Sequence, residues 1–545
     1  MRLVLLLLAC LPLVAEDWKA EQRDVSIPMR DGKGLAADVW LPKAEGKYPA
    51  VLIQTPYNKK NMGAPISGEI KDVGETGRGA VSDTLGLLDR DHYAYVVVDW
   101  RGFYGSKDAQ EGVDRKSWRR GMDGFDTVEW IASQPWSDGQ VGTWGGSALG
   151  KQQLDTAAEQ PPHLVCCVPL IAAMGQRYEF YYDGGCYLEA HVKTLDVLGY
   201  GVSKMVLANP RPGTLIWKGA ERLSYHPEKI QVPCLMISGW WDHYPDQVIE
   251  TFEDIVAGGG PKAKEGSKLL LGPWDHVGVG LAKQGDREFK GAELESAHSA
   301  KAYFDYWMLG KKDNGWDTTP RVRWWRINED QQAGSARGWA SGESWSALTR
   351  KATSVWLGAD GKIGLEKPTD AGTRAYTCDP KDPTPTLGGA NLPPVPHGPH
   401  LENDLDKRKD LLVYSTGKLA APLSLNGKAE LSFEVEVDRP CCDFMARLCD
   451  VDPDGHVYLI ADAARRLWDV KAGATQKVTL TFPTTAVTWP AGWELRVYLS
   501  SSNWPRYERN THTGADHWDA KAAVPLAVTV HHPAELKLPA VEGGK

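Results

Sequence analysis

Three residue types suited to acyl transfer stand where an apolar run gives way to a turn. Gly145-Gly146-Ser147-Ala148-Leu149-Gly150 follows the strand-like Gln140 to Trp144 and precedes the helical Lys151 to Ala158. Small residues around a serine in a sharp strand-to-helix turn lift its Oγ above the sheet edge, at a helix N-terminus that favours developing negative charge. The second glycine is displaced by one from the G-x-S-x-G spacing, and a glycine-rich turn around a serine also occurs as a plain loop. Such a serine needs a base and an orienting carboxylate, which follow in the order serine, acid, histidine where a turn of this kind sits on an α/β sheet. The run Cys234 to Ser238 leads into Gly239-Trp240-Trp241-Asp242, and Lys268 to Leu271 leads into Gly272-Pro273-Trp274-Asp275-His276. Seen singly, an Asp at a turn is more often an Asx cap and a His more often a satisfied surface residue. Correct types on three strand ends in the right order are much harder to obtain by chance.

Positioning these groups is a task for a sheet. Apolar or alternating runs at Leu35 to Leu41, Ala50 to Gln54, Ala94 to Val98, Leu164 to Leu170 and Leu269 to Leu271 read as strands, and Gly121 to Ser133 reads as an amphipathic helix through Met122, Phe125, Val128 and Ile131. Strand, helix and strand in succession predict a mostly parallel α/β sheet. Between about residues 172 and 230 the rhythm lapses into aromatic and helical patterns, the expected helical cap. From about residue 350 to 545, short strands at Ser354 to Leu357, Ala429 to Val437, Lys477 to Phe482 and Glu494 to Ser500 predict a β jelly roll or sandwich, with Pro380 to His400 as a long loop. A chain of 545 residues that is 42% hydrophobic and 24% charged supports at least two such cores. The net charge of -9, from 62 basic and 71 acidic residues without a Lys/Arg run, argues against nucleic acid as a partner. Tryptophan outnumbers phenylalanine, 23 to 9, which suits broad apolar pockets whose walls carry a donor.

Residues 1–15 read as an export signal: Met1-Arg2, the apolar Leu3 to Ala9, then Pro12 and Ala15 before Glu16-Asp17. A secreted or periplasmic location is therefore expected, with Cys10 as an alternative lipid-attachment site, and no later run is long enough to span a membrane. The remaining cysteines, Cys166, Cys167, Cys186, Cys234, Cys378, Cys441, Cys442 and Cys449, form an even set in which disulfides are possible. Their spacing lacks the paired pattern of a zinc site, so no metal is expected.

Beyond the three strand ends, Thr55-Pro56-Tyr57-Asn58-Lys59, Asp99-Trp100-Arg101-Gly102-Phe103-Tyr104-Gly105-Ser106, Asp379-Pro380-Lys381-Asp382-Pro383 and Ser500-Ser501-Ser502-Asn503-Trp504-Pro505-Arg506 complete a set that resembles one family over almost the whole chain after residue 15. It is that of the CocE/NonD-type α/β-hydrolases, which groups cocaine esterase, α-amino-acid ester hydrolases, glutaryl-cephalosporin acylases and X-Pro dipeptidyl-peptidases. The resemblance implies an α/β-hydrolase domain over residues 16–349, with the cap inside it, and a C-terminal jelly-roll domain over 350–545. It implies Ser147 as nucleophile, His276 as general base, Asp242 as its orienting acid, and Tyr57 with the Ala148 amide as oxyanion hole. It also implies structural roles for Asp99 and Arg101, and no cofactor.

Two departures bear on substrate. Ala148 stands where the family commonly has tyrosine, so the backbone donor survives while a pocket wall is lost. Tyr244 and Pro245 stand where the amino-ester hydrolases place carboxylates that hold a substrate ammonium, which favours an acyl group without a cation. Asp183 and Glu179 are the candidates to replace that charge. Trp240, Trp241 and Trp274 are expected to border the acyl pocket, although indoles in the core would read identically. The expected activity is cleavage of a small-molecule ester or amide through an acyl-serine. An X-Pro exopeptidase, or a glycan-binding protein with an inert α/β unit, are the alternatives, and the oligomeric state is not legible.

Overall fold

The computed structural model describes residues 22–61, 91–114, 118–329 and 338–541. Strands β1 (Gln22–Pro28), β2 (Gly34–Trp40), β3 (Tyr48–Thr55) and β4 (Ala94–Asp99) precede helix α1 (Arg120–Ala132), β5 (Ser137–Gly146), α2 (Ala148–Ala158) and β6 (Leu164–Leu170). Every residue of β4 is buried, the pattern of a strand covered on both faces. On α1, Val128 and Ile131 are fully buried while Met122 and Phe125 lie half-buried at its edge. Burying a side chain of that size contributes about 1.5–3 kcal/mol.

After β6 the chain forms a hairpin of β7 (Tyr182–Asp183) and β8 (Cys186–Tyr187), then helices α3 (Glu189–Val197), α4 (Ser203–Leu207) and α5 (Leu215–Ser224). The sheet resumes with β9 (Leu235–Trp241), α6 (Pro245–Gly258), α7 (Pro261–Gly266) and β10 (Lys268–Asp275). A small hairpin of β11 (Lys283–Gln284) and β12 (Arg287–Glu288), then α8 (Glu295–Trp307), β13 (Val322–Trp325) and β14 (Trp339–Gly342), complete this part. The resulting ten-stranded sheet has the order β1-β2-β4-β3-β5-β6-β9-β10-β13-β14. From β4 to β13 neighbours are parallel, and β1, β2 and β14 run antiparallel at the two edges. This is the mostly parallel α/β sheet expected from the sequence.

The remainder is all β: β15 (Arg350–Leu357), β16 (Ile363–Gly364), β17 (Gly372–Cys378), β18 (Leu411–Ser415), β19 (Leu423–Gly427), β20 (Glu430–Val437), β21 (Cys442–Val451), β22 (Val457–Leu467), β23 (Gln476–Thr481), β24 (Thr485–Trp489), β25 (Glu494–Ser500) and β26 (Leu526–Val541). A six-stranded sheet built around β26 faces a four-stranded sheet, β18-β25-β21-β22. Phe433 of one and Phe444 of the other meet edge-on with ring centroids 5.4 Å apart. Along most of β26 buried and more exposed residues alternate, as period-two side chains on a half-covered sheet must. Pro380 to His400 carries isolated bridges only.

The possible disulfides are absent among the described residues: the eight cysteines from Cys166 to Cys449 are free, buried thiols. Neighbours on one strand, such as Cys166 and Cys167 on β6, point to opposite faces and cannot bridge. Burial pushes the Cys166 thiol well above its ordinary range, which makes it inert.

Candidate active site

Ser147 is the first residue beyond β5, Asp242 the first beyond β9 and His276 the first beyond β10. All three strands are parallel, so the side chains emerge at one edge of the sheet, at the carboxyl ends where open α/β sheets keep their sites. Ser147 has φ 57° and ψ -120°, a conformation that L-residues rarely adopt and that costs of order 1–3 kcal/mol. Its neighbours over-determine it. The Ser147 N–H donates to Leu170 O at 2.9 Å and Ser147 O accepts from the Lys151 N–H at 3.0 Å. A Cβ at Gly145, itself at φ +134°, would lie 2.6 Å from the Leu149 Cβ. A Cβ at Gly150 would lie 2.5 Å from that of Ala172. The displaced glycine is thus explained: Leu149 turns into the core, and the close approach to the following strand falls one residue later.

His276 Nδ1 lies 2.7 Å from Asp242 Oδ1, and His276 Nε2 lies 3.0 Å from Ser147 Oγ. The carboxylate accepts from Nδ1–H, which selects the tautomer whose Nε2 lone pair faces the serine hydroxyl. Asp242 is 2% exposed. The cost of burying it is offset by further donors: the His243 N–H on Oδ1 at 2.6 Å and the Ser238 hydroxyl on Oδ2 at 2.8 Å. Ser147 is itself half-buried, unlike the buried residues on either side of it.

The loop that carries His276 is held from the second domain. Asp275 Oδ1 accepts the Val277 and Gly278 N–H groups, and its Oδ2 lies 2.6 Å from Nδ1 of His397, in the Pro-rich loop. Burial acts to lower the His397 pKa, but the hydrogen bond and charge of Asp275 outweigh it and hold the imidazole above its ordinary value. A group raised on folding stabilises fully below its unfolded pKa of about 6.5, and the contribution fades as pH rises through the folded value. His397→Ala is therefore expected to cost about 1 kcal/mol near pH 5.5 and less at pH 8.5. Thermal melts of both proteins at the two pH values check it, and an equal gap at both would sink the assignment.

Tyr57 stands just beyond β3, with its N–H bonded to Thr55 Oγ1 at 3.0 Å. Its hydroxyl accepts from the Tyr200 hydroxyl at 3.2 Å, and the Ser147 hydroxyl is also within its hydrogen-bonding reach. Burial, only partly offset by those two bonds, keeps the Tyr57 phenol above its usual range, so the group is a neutral donor. Ala148 opens α2, and its amide is one of those that the helix leaves unpaired. A phenol and an amide beside one nucleophile can hold a carbonyl oxygen that becomes negative. Tyr57→Phe is expected to lower kcat by about 10²–10³-fold with little change in KM, measured in steady-state ester hydrolysis. A loss confined to KM would remove Tyr57 from the oxyanion role.

Asp99 and Arg101 act as clamps. Asp99 accepts the N–H groups of Lys59 and Gly105 at 2.7 and 3.0 Å, tying the Tyr57 loop to the next one. Arg101 pairs with Asp123 at 2.7 Å and Asp31 at 2.8 Å. The aromatic residues of the same motif, Trp100 and Phe103, pack on Tyr200 with centroids 6.4 and 6.0 Å away and so support the partner of Tyr57.

The tryptophans and Asp183 expected at the acyl pocket are taken up by contacts within the protein. Asp183 accepts from the Tyr507 hydroxyl at 2.6 Å, joining the β7–β8 hairpin to the second domain, and burial pushes its carboxyl up to about 6. Glu179 is exposed. Trp240 donates to Trp325 O at 2.7 Å and packs on Trp345. Trp241 donates to Leu459 O of β22 at 3.2 Å, and Trp274 is fully buried against Trp339. Trp240 and Trp241 serve the core and the domain junction, each burying its ring where a carbonyl takes its N–H, whereas Trp274 is held by ring packing, its N–H without a partner among the described residues. The aromatic ring nearest to the imidazole of His276 is instead that of His243, at 5.1 Å, followed by Tyr244 at 6.2 Å. Behind them stand His191 of α3 and Phe180. Among the described residues, the acidic and histidine groups that could converge on an ion are Asp452, Asp454 and His456, mostly exposed at the β21–β22 turn and remote from this site in the sequence of strands.

A mostly parallel sheet whose strand ends place a serine, an imidazole and a carboxylate in one hydrogen-bonded line defines a serine hydrolase. A family model described as X-Pro dipeptidyl-peptidase (S15 family) matches residues 31–214 and 211–278, and one described as the X-Pro dipeptidyl-peptidase C-terminal non-catalytic domain matches 314–535. Cocaine esterase from Rhodococcus sp. (strain MB1 Bresler) is 27% identical over 562 residues, covering 90% of this chain and 92% of that protein. In fold, the chain is similar to an aminopeptidase from a marine sediment Thaumarchaeota archaeon, with TM-score 0.79, 20% identity and coverage of 96% and 97%. It is also similar to an α-amino acid ester hydrolase, with TM-score 0.75, 20% identity and coverage of 97% and 98%. The chain thus matches the models of both X-Pro dipeptidyl-peptidase domains in order and is similar to the CocE/NonD-type α/β-hydrolases.

Proposed function

We propose that the protein hydrolyses small carboxylic esters or amides through a covalent acyl-Ser147. The observation that carries this is the line from Asp242 Oδ1 to His276 Nδ1 at 2.7 Å and from His276 Nε2 to Ser147 Oγ at 3.0 Å. Ser147 Oγ attacks the carbonyl carbon as its proton passes to His276 Nε2, and the carbonyl oxygen takes up the negative charge between Tyr57 OH and the Ala148 N–H. Collapse of the intermediate breaks the bond to the leaving alcohol or amine, which takes the proton from Nε2. Water then repeats the cycle on the acyl-serine, His276 removing its proton, and the carboxylic acid leaves with Ser147 restored. The likeness to cocaine esterase supports esters as the first substrates to try. Export to the periplasm or beyond is part of the same proposal, supported by the pattern of residues 1–15. It lies outside the described residues.

The test is labelling by a fluorophosphonate probe, with hydrolysis of p-nitrophenyl esters measured beside that of Gly-Pro-p-nitroanilide. Labelling that depends on Ser147 and ester turnover above anilide turnover are expected. Absence of labelling would favour a binding protein, and faster anilide turnover an exopeptidase.

A further inference from the structure

The imidazole of His276 has two companions that the triad does not use. The His243 ring lies 5.1 Å from that of His276, and the His191 ring lies 4.5 Å from that of His243. His191 Nε2 and the Tyr244 hydroxyl share a hydrogen bond of 3.2 Å. The other nitrogen of His191, Nδ1, and Nε2 of His243 are buried without a hydrogen-bond partner among the described residues. His191 is 6% exposed. A buried polar atom left unpaired costs about 1–3 kcal/mol, so two of them on neighbouring rings next to the catalytic base point to a ligand group that completes them.

The chemistry of that group follows from the state of the rings. Burial, reinforced by the charges of Arg506 and Lys151, pushes His191 down to about 3, and burial likewise holds His243 well below its ordinary value. Both are neutral, and a neutral imidazole offers one donor and one acceptor. The same positive surroundings disfavour an ammonium, and the carboxylates that could have welcomed one are engaged: Asp183 with Tyr507, and Asp242 with His276, Ser238 and the His243 amide. What fits is an uncharged group that both donates and accepts. The His243 ring, 5.1 Å from that of His276, places the group on the acyl side close to the reacting carbonyl, and the rings of Tyr244 and Phe180, 4.9 Å apart, supply an apolar wall beside it.

We propose that His191 and His243 form a neutral hydrogen-bonding subsite for the acyl group, so that preferred substrates carry a hydroxyl or amide on the carbon next to the scissile carbonyl together with an apolar or aromatic substituent. The inference rests on the hydrolase reading above. It assigns a specificity role to α3 of the segment between β6 and β9, and it gives the departure at Tyr244 and Pro245 a positive content.

The test compares p-nitrophenyl esters of mandelate, phenylacetate and phenylglycine, which place a hydroxyl, a hydrogen and an ammonium at the same carbon. Each kcat/KM is divided by the ester's own rate with hydroxide to remove intrinsic reactivity. The mandelyl ester is expected to lead both others by at least about tenfold. His191→Leu and His243→Leu are expected to collapse that ratio, and His191→Gln and His243→Gln, which keep a donor and an acceptor, to retain part of it. Where a leucine variant does not fold, the wild-type ratios and the glutamine variants still decide. Equal normalised rates for mandelyl and phenylacetyl esters, preference for the phenylglycyl ester, or a ratio unmoved by both leucine substitutions would each overturn the subsite while leaving the hydrolase reading intact. Failure of Ser147 to label with a fluorophosphonate would overturn the hydrolase reading itself, and the subsite with it.

Discussion

Ser147→Ala is expected to lower kcat on p-nitrophenyl esters by about 10⁶-fold while leaving the fold intact. The variant keeps Cβ and the strained turn but removes the one oxygen that can carry the acyl group. No neighbour can take its place: Tyr57 OH is held neutral by burial, and the thiols are buried on other elements. What should remain is a weak acceleration over water of roughly 10³–10⁴-fold from the oxyanion donors and from binding. Stability is expected to hold or rise slightly, because catalytic groups are kept for chemistry at some cost in packing. Steady-state kinetics, labelling and a thermal melt on the same preparation check the three parts together. A variant with a tenth of wild-type activity would mean that another nucleophile does the work.

How much of this arrangement could be read from the sequence depends on whether a residue is placed by its own strand or by another element. Ser147, Asp242 and His276 were legible because each stands one step past an apolar strand, and a parallel sheet brings such steps to one edge. The large architecture was legible for the same reason, since period-two runs alternating with a helical pattern admit few other folds. Tyr200, His191 and His397 were not, because their roles depend on tertiary approach. Tyr200 sits in an irregular turn between α3 and α4 and meets Tyr57 across 143 positions of sequence. His397 reaches Asp275 from a loop of the second domain, and a lone histidine in a Pro-rich stretch carries no local signal. The indoles mislead in the opposite sense. Trp240, Trp241 and Trp274 share the motifs that carry Asp242 and His276, yet the N–H groups of the first two go to Trp325 and Leu459 and the ring of the third packs on Trp339. Proximity along the chain suggested the site for them, but alternation turns only Trp241 to the face opposite Asp242, and for Trp240 and Trp274 it is packing on Trp345 and Trp339 that occupies the rings.

That same local detail sets the outcome of replacing the acid. Asp242→Ala is expected to lower kcat by about 10⁴-fold, because it leaves His276 free to turn and without a counter-charge. Asn at this position is commonly as damaging where its amide nitrogen faces the imidazole and forces the wrong tautomer. Here the His243 N–H lies 2.6 Å from the very oxygen that accepts from His276 Nδ1. An amide nitrogen at that place would confront two donors, whereas the opposite orientation puts the carbonyl oxygen toward both and the NH₂ toward the Ser238 hydroxyl, which can accept. The right tautomer survives, and only the charge opposing the imidazolium is lost, at about 1.5–3 kcal/mol or roughly ten- to 150-fold in kcat. Asp242→Asn is therefore expected to retain at least tenfold more activity than Asp242→Ala, a gap of about 1.4 kcal/mol in the barrier. Steady-state kinetics of the two variants on one ester decide it. An asparagine variant as poor as the alanine one would show that the backbone of His243 does not orient the side chain in this way, and that charge and tautomer are lost together.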